Sequence, residues 1–108
     1  MIISKTNIQT IDAKISAYIG FAVRSNKVVY GVDNLTVYKK KIPLILVSSS
    51  LADSSLAKAR EVSTIKGCAI YQLEDGLLEG YTHRQGVKAI AILDTSLAGA
   101  ISDCISSL

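Results

Sequence analysis

Histidine and cysteine are scarce in this chain: one histidine, His83, and two cysteines, Cys68 and Cys104, among 108 residues. The cysteines lie far apart, without a CxxC pair, and the histidine has no HxxxH partner, so neither a disulfide nor a metal site is expected. Both cysteines read as buried free thiols. The GxSxG of a nucleophile elbow, the GxxxxGK[ST] of a phosphate-cradling loop and the GxGxxG of a dinucleotide fold are all missing. Carboxylates are scattered, with no pair placed as an acid/base couple. These gaps exclude the common routes to catalysis, so no catalytic residue, cofactor or small-molecule substrate is assigned. Long hydrophobic runs are missing too. The longest, Ile42 to Val47, falls far short of the roughly 20 residues that cross a bilayer. The opening MIISKTNIQT lacks the apolar stretch of a secretory signal. A cytoplasmic protein is the expectation.

Hydrophobic residues make up 49% of the chain and charged residues 19%, the balance of a packed globule, and the length fits one domain over residues 1–108. The formal net charge is +3, a modest excess in which Arg24, Lys27, Lys39, Lys40 and Lys41 fall within one short region. Such a cluster is either a solvated face or a binding face.

Apolar residues at helical spacing (Ile11, Ile15, Tyr18, Ile19, Ala22) predict a helix from Thr10 to about Ser25. Val28–Tyr30 is a short β-prone run that stops at Gly31. Val32, Leu35 and Tyr38 predict a second helix over 32–41, with Asp33 in its first turn, lysines in its last and Pro43 closing it. Leu44–Val47 reads as a strand covered on both faces. The serine-rich SSSLADSS reads as a solvated loop offering N-caps to a helix that stops at Gly67. Residues 68–73 and 87–93 read as strands, residues 74–84 as a helix weakened by Gly76 and Gly80, and a last helix starts with Thr95 or Ser96 as cap. This alternation predicts an α/β protein, a three-layer α/β/α sandwich around a central mixed sheet of about four strands.

The turn at Gly31 is the one place where binding chemistry concentrates. A glycine that ends a strand and opens a helix exposes unpaired backbone N–H groups suited to phosphate. Asp33 and Asn34 on the same turn carry short polar side chains able to meet base edges, and Lys27 lies just upstream. The plainer alternative is that Asp33 complements the helix dipole and Asn34 is solvated.

The run IGFAVRSNKVVYG resembles the opening of short bacterial YlxQ-type members of the ribosomal L-seven-Ae superfamily, with Gly20, Ala22, Arg24, Lys27, Val28, Val29 and Gly31 in position. The likeness continues through PLILVS, KAREVSTIKG, CAIYQL and VKAIAILDTSLAGAI. It implies recognition of a kink-turn or similar structured RNA, ribosomal in origin, by a noncatalytic protein. The RNA-facing residues it implies are Lys27, Gly31, Val32, Asp33, Asn34 and Lys39, with a second loop of His83, Arg84, Gln85, Gly86 and Val87 packing on an extruded base. The chain departs from the family pattern at Asp33, Asn34 and Val37, at Ser50 and at Glu79. These departures leave open a second expectation, a family-fold module that has lost RNA binding and acts in protein–protein interaction. A small enzyme using His83 is the weakest reading.

Overall fold

The sequence LILVS at 44–48 forms a strand in which every residue is buried, and the rest of the molecule is arranged to cover it. The computed structural model describes residues 2–108. In chain order the elements are β1 (Ile2–Ile3), α1 (Lys5–Ile8), α2 (Asp12–Arg24), β2 (Val28–Tyr30), α3 (Val32–Val37), β3 (Leu44–Ser48), α4 (Asp53–Lys66), β4 (Ala69–Leu73), α5 (Leu77–Thr82), β5 (Ala89–Ile92) and α6 (Thr95–Ser106). The strands form one sheet in the order β1-β4-β3-β5-β2. The pairs β1–β4 and β3–β4 are parallel, while β5 runs antiparallel to both β3 and β2, so the sheet is mixed as expected.

The two-residue period of a strand sends alternate side chains to opposite faces. Leu44, Leu46, Ile90 and Ile92 pack on one face with Ile15 and Ile19 of α2, Leu78 and Tyr81 of α5, and Ile101 and Ile105 of α6. Ile45, Val47, Ala89 and Ala91 pack on the other with Val32 and Leu35 of α3 and Ala59 and Val62 of α4. Each fully buried Leu or Ile contributes about 1.5–3 kcal/mol relative to exposure, which is why the central strands carry almost nothing else. Two helical layers thus enclose the sheet, the sandwich that the alternation predicted. Among the described residues no helix is long and apolar enough to cross a membrane.

Several local expectations are corrected. The sheet has five strands rather than four, because Ile2–Ile3 adds an edge strand beside β4. The helix expected over 32–41 ends at Val37: Tyr38 is extended (φ −70°, ψ 120°), five residues before Pro43. The β-branched pair Thr36-Val37 disfavours further turns, and the Thr36 hydroxyl donates back to the Asp33 carbonyl. The lysines at 39–41 therefore sit on an irregular linker, not on a helix end. Gly67 does stop α4, in the left-handed conformation at φ 65°. The cap of α6 is Asp94, whose Oδ1 accepts from the Leu97 amide at 2.9 Å, in place of Thr95 or Ser96.

The serine cluster is not simply solvated, nor does it cap α4, whose N-cap residue is Ala52. Ser48 is buried, and the Ser50 hydroxyl donates to Asp75 Oδ1 at 2.8 Å. Ser49 Oγ in turn accepts from the Asp75 amide at 3.0 Å, so the cluster ties the β3–α4 loop to the β4–α5 loop. Cys68 and Cys104 are free thiols but only partly buried, and burial pushes the Cys68 thiol pKa up.

Candidate nucleic-acid interface

β2 ends where its neighbour β5 begins, and this juxtaposition builds the site. The Gly31 amide donates to the Ala89 carbonyl at 2.9 Å, continuing the ladder one step past Tyr30. The chain then turns into α3 at φ 86° and ψ 145°, a conformation that a side chain would strain. The Leu35 amide closes the first helical turn on the Gly31 carbonyl at 3.1 Å.

The opposite wall is the loop from α5 into β5. His83 ends α5 in the left-handed region (φ 56°), and Gly86 has φ 79°. Glu79 shapes this loop: its carbonyl accepts the Arg84 amide at 3.3 Å and its Oε2 accepts the Gly86 amide at 2.7 Å. The Lys88 carbonyl accepts the Ser48 amide at 2.7 Å, fastening the loop to β3. The Arg84 guanidinium lies 4.2 Å from the Tyr30 ring centroid, a cation–π contact across the two walls. Between them is an open cavity of about 280 Å³ lined by Tyr30, Gly31 and residues 84–89.

Of the residues singled out from sequence, Gly31, Arg84, Gln85, Gly86 and Val87 all line this cavity. His83 is exposed at the loop's start. Asp33 is exposed on the first turn of α3, and so is Asn34, but the Asn34 side-chain Nδ2 donates to the Tyr30 carbonyl at 2.8 Å. That bond holds the turn and removes one of the donors expected to meet a ligand. Val32 points inward and is a core residue, 8% exposed.

Lys27 and Lys39 are not part of this site. The Lys27 carbonyl accepts the Leu93 amide at 2.8 Å, at the far end of β5. With a rise of about 3.3 Å per residue, β2 separates Lys27 from Gly31 by roughly 13 Å. Lys39 adjoins Lys40, whose carbonyl accepts the Lys66 ammonium at 2.7 Å where β4 is about to start, again at that far end. Sequence reading missed Tyr30, Glu79 and Lys88 as members of the site. The link from Glu79 to Gly86 spans seven residues and leaves no periodic signal.

Two carboxylates outside the cavity lining are held by hydroxyls. Asp75 is engaged by Ser50, and the Tyr81 hydroxyl donates to Asp12. Burial first, then that hydrogen bond and the Asp12 charge, push the Tyr81 phenol pKa well above its usual range. Among the described residues no group of three or more His, Cys, Asp or Glu side chains is placed to hold a metal ion.

No family model matches the chain, and no curated protein matches it. Solved structures do: the chain is similar to a protein of unknown function from Bacillus halodurans, with a TM-score of 0.78 and 15% identity, over 87% of this chain and 98% of that one. At that identity the likeness is one of fold. The same sandwich is therefore built by a very different sequence, as expected when patterning rather than particular residues specifies architecture.

Proposed function

We propose that this is a small noncatalytic RNA-binding protein of the ribosomal L-seven-Ae type, acting in the cytoplasm on ribosomal or similarly structured RNA. The observation that supports it is convergence. Gly31 and the loop residues 84–87, far apart in sequence and both implied as RNA-facing by the family resemblance, line one cavity to which Lys88 also contributes. RNA readers of this kind grip distorted sites by stacking and by backbone donors more than by groove readout. Here the Tyr30–Arg84 pair offers a platform for an unstacked base, and Arg84 and Lys88 offer cations for the flanking phosphates.

The second reading, a fold module that engages another protein, is favoured by the Glu79 carboxylate that braces the cavity loop at Gly86, by the exposed carboxylate of Asp33 two residues after Gly31, and by the commitment of the Asn34 side-chain amide to the Tyr30 carbonyl. A kink-turn RNA and a fully paired stem of the same length, each titrated with the protein at low salt, separate the two. RNA binding requires preference for the kink-turn and its loss in Arg84→Ala by about 5- to 150-fold, the range of one specific contact. Equal, negligible affinity for both RNAs sinks the first reading.

A further inference from the structure

The sheet register gathers six of the chain's twelve Lys and Arg residues at one end. Val28, Ile92, Leu44 and Ala69 stand in one row across β2, β5, β3 and β4. At about 4.8 Å per strand the row is roughly 14 Å wide. The segments flanking it, residues 24–28, 38–44, 65–69 and 92–96, contain Arg24, Lys27, Lys39, Lys40, Lys41 and Lys66 against one carboxylate, Asp94. That carboxylate is occupied as the cap of α6. The opposite end reverses the balance: residues 3–5, 30–34, 48–53, 73–79 and 83–89 carry five carboxylates against Lys5, Arg84 and Lys88. The modest net charge of +3 therefore hides a strong polarity along the strands.

The cationic end is also shaped. A cavity of about 290 Å³ indents it, walled by Lys41, Lys66, Cys68, Thr95 and Ser102. Lys66 holds the 38–43 linker through the Lys40 carbonyl, and Lys27, Lys39, Lys40 and the cavity-lining Lys41 are all exposed at this end. Beside them Arg24 lies 4.8 Å from the ring centroid of Phe21, which is 55% exposed.

We propose that this end is a nucleic-acid surface that holds the backbone of a single-stranded RNA through Lys27, Lys39, Lys40 and Lys41, with Phe21 and Arg24 as a stacking platform at its border. The surface lies outside the Gly31 cavity and does not depend on the reading given for it. Several cations along an indented edge, with an exposed aromatic beside them, are the elements of sequence-tolerant single-strand binding. A membrane fits less well. The exposed apolar side chains near this end, Phe21 on one helical layer and Val37 and Ile65 on the other, share no single face that could enter a bilayer.

The test is fluorescence anisotropy with a labelled oligouridylate of about 15 nucleotides, titrated in NaCl from about 50 to 200 mM, since single strands lose about 0.7 in slope per phosphate contact. The wild type should bind with a steep salt dependence. Lys39→Ala/Lys40→Ala/Lys41→Ala should weaken binding at least tenfold at the lowest salt and flatten the slope by about 2. The control Lys5→Ala/Lys14→Ala/Lys58→Ala removes three exposed lysines from elsewhere and should leave the slope unchanged. Circular dichroism melts establish that both variants fold; should the alanine triple fail to, Lys39→Gln/Lys40→Gln/Lys41→Gln with Lys27→Ala read the same loss.

Three results would overturn the proposal: no oligouridylate binding by the wild type, equal losses in the two lysine triples, or lysine-dependent capture by phosphatidylserine vesicles without binding to the oligomer. Oligouridylate binding without kink-turn preference removes the cavity reading and leaves this one standing. Kink-turn preference with the alanine triple unimpaired on oligouridylate does the reverse.

Discussion

Glu79 provides a sharp test of the proposed RNA cavity, because its two properties should pull affinity for RNA in opposite directions. Its Oε2 accepts the Gly86 amide at 2.7 Å and so holds the loop that forms one wall. On the proposed reading, its charge also faces the loop where an RNA phosphate would approach. Glu79→Ala removes both. The lost charge-assisted bond, weakened because its glycine partner is exposed to solvent, amounts to about 1 kcal/mol, below the roughly 1.5–3 kcal/mol of its class. The Gly86 amide should then exchange about fivefold faster, and the loop's disorder should lower affinity through the smaller fraction of binding-competent molecules. Glu79→Gln keeps an acceptor and discards the charge. For a phosphate ~8 Å away in water-like dielectric, repulsion is about 0.5 kcal/mol, so this variant should bind about twofold more tightly. Amide exchange at Gly86 by NMR and anisotropy titration with a kink-turn RNA read the two effects separately. If both variants change affinity in the same direction, or if the alanine variant leaves Gly86 exchange untouched, the wall is not built as described and the reasoning fails.

Other consequences are more direct. Gly31→Ala meets no neighbouring atom within 4 Å, yet φ 86° should make it destabilising by about 1–3 kcal/mol in urea titration, through backbone strain rather than collision. Leu46→Ala, at a fully buried position, should lose about 2–5 kcal/mol by the same measurement. Because the folded state raises the Tyr81 phenol pKa, its contribution is complete below the unfolded value near 10 and is lost as pH rises beyond it. Stability should therefore decline above about pH 10, with a late-ionising phenol in ultraviolet titration, and Tyr81→Phe should remove both effects.

The central architecture was legible because it rests on short-range rules. An unbroken apolar run marks β3, a glycine in the left-handed region ends α4, and aliphatic stripes mark α2 and α6. What escaped the sequence depends on pairing. Ile2–Ile3 is too short to carry a pattern and becomes a strand only because Gln72 and Leu73 offer it a partner. The serines of 48–50 looked like loop filler until Asp75, 25 residues beyond Ser50, came within hydrogen-bond reach. Lys27 and Gly31 sit four positions apart in sequence and share one site by the family resemblance, yet a strand lies between them and carries them to opposite ends of the sheet. In the same way Arg84 reaches Tyr30 only through the antiparallel pairing of β2 with β5, a register that no local propensity encodes.

The margins of the sheet carry one more implication. Its outermost members are two and three residues long, Ile2–Ile3 on one side and Val28–Tyr30 on the other. Stubs of that length present too few free backbone groups to template a further chain, so lateral stacking into ribbons or fibrils is disfavoured despite a composition rich in β-branched residues. Among the described residues, self-association is then expected through the helical shells or the polar tips, where side chains rather than main-chain ladders decide who binds whom.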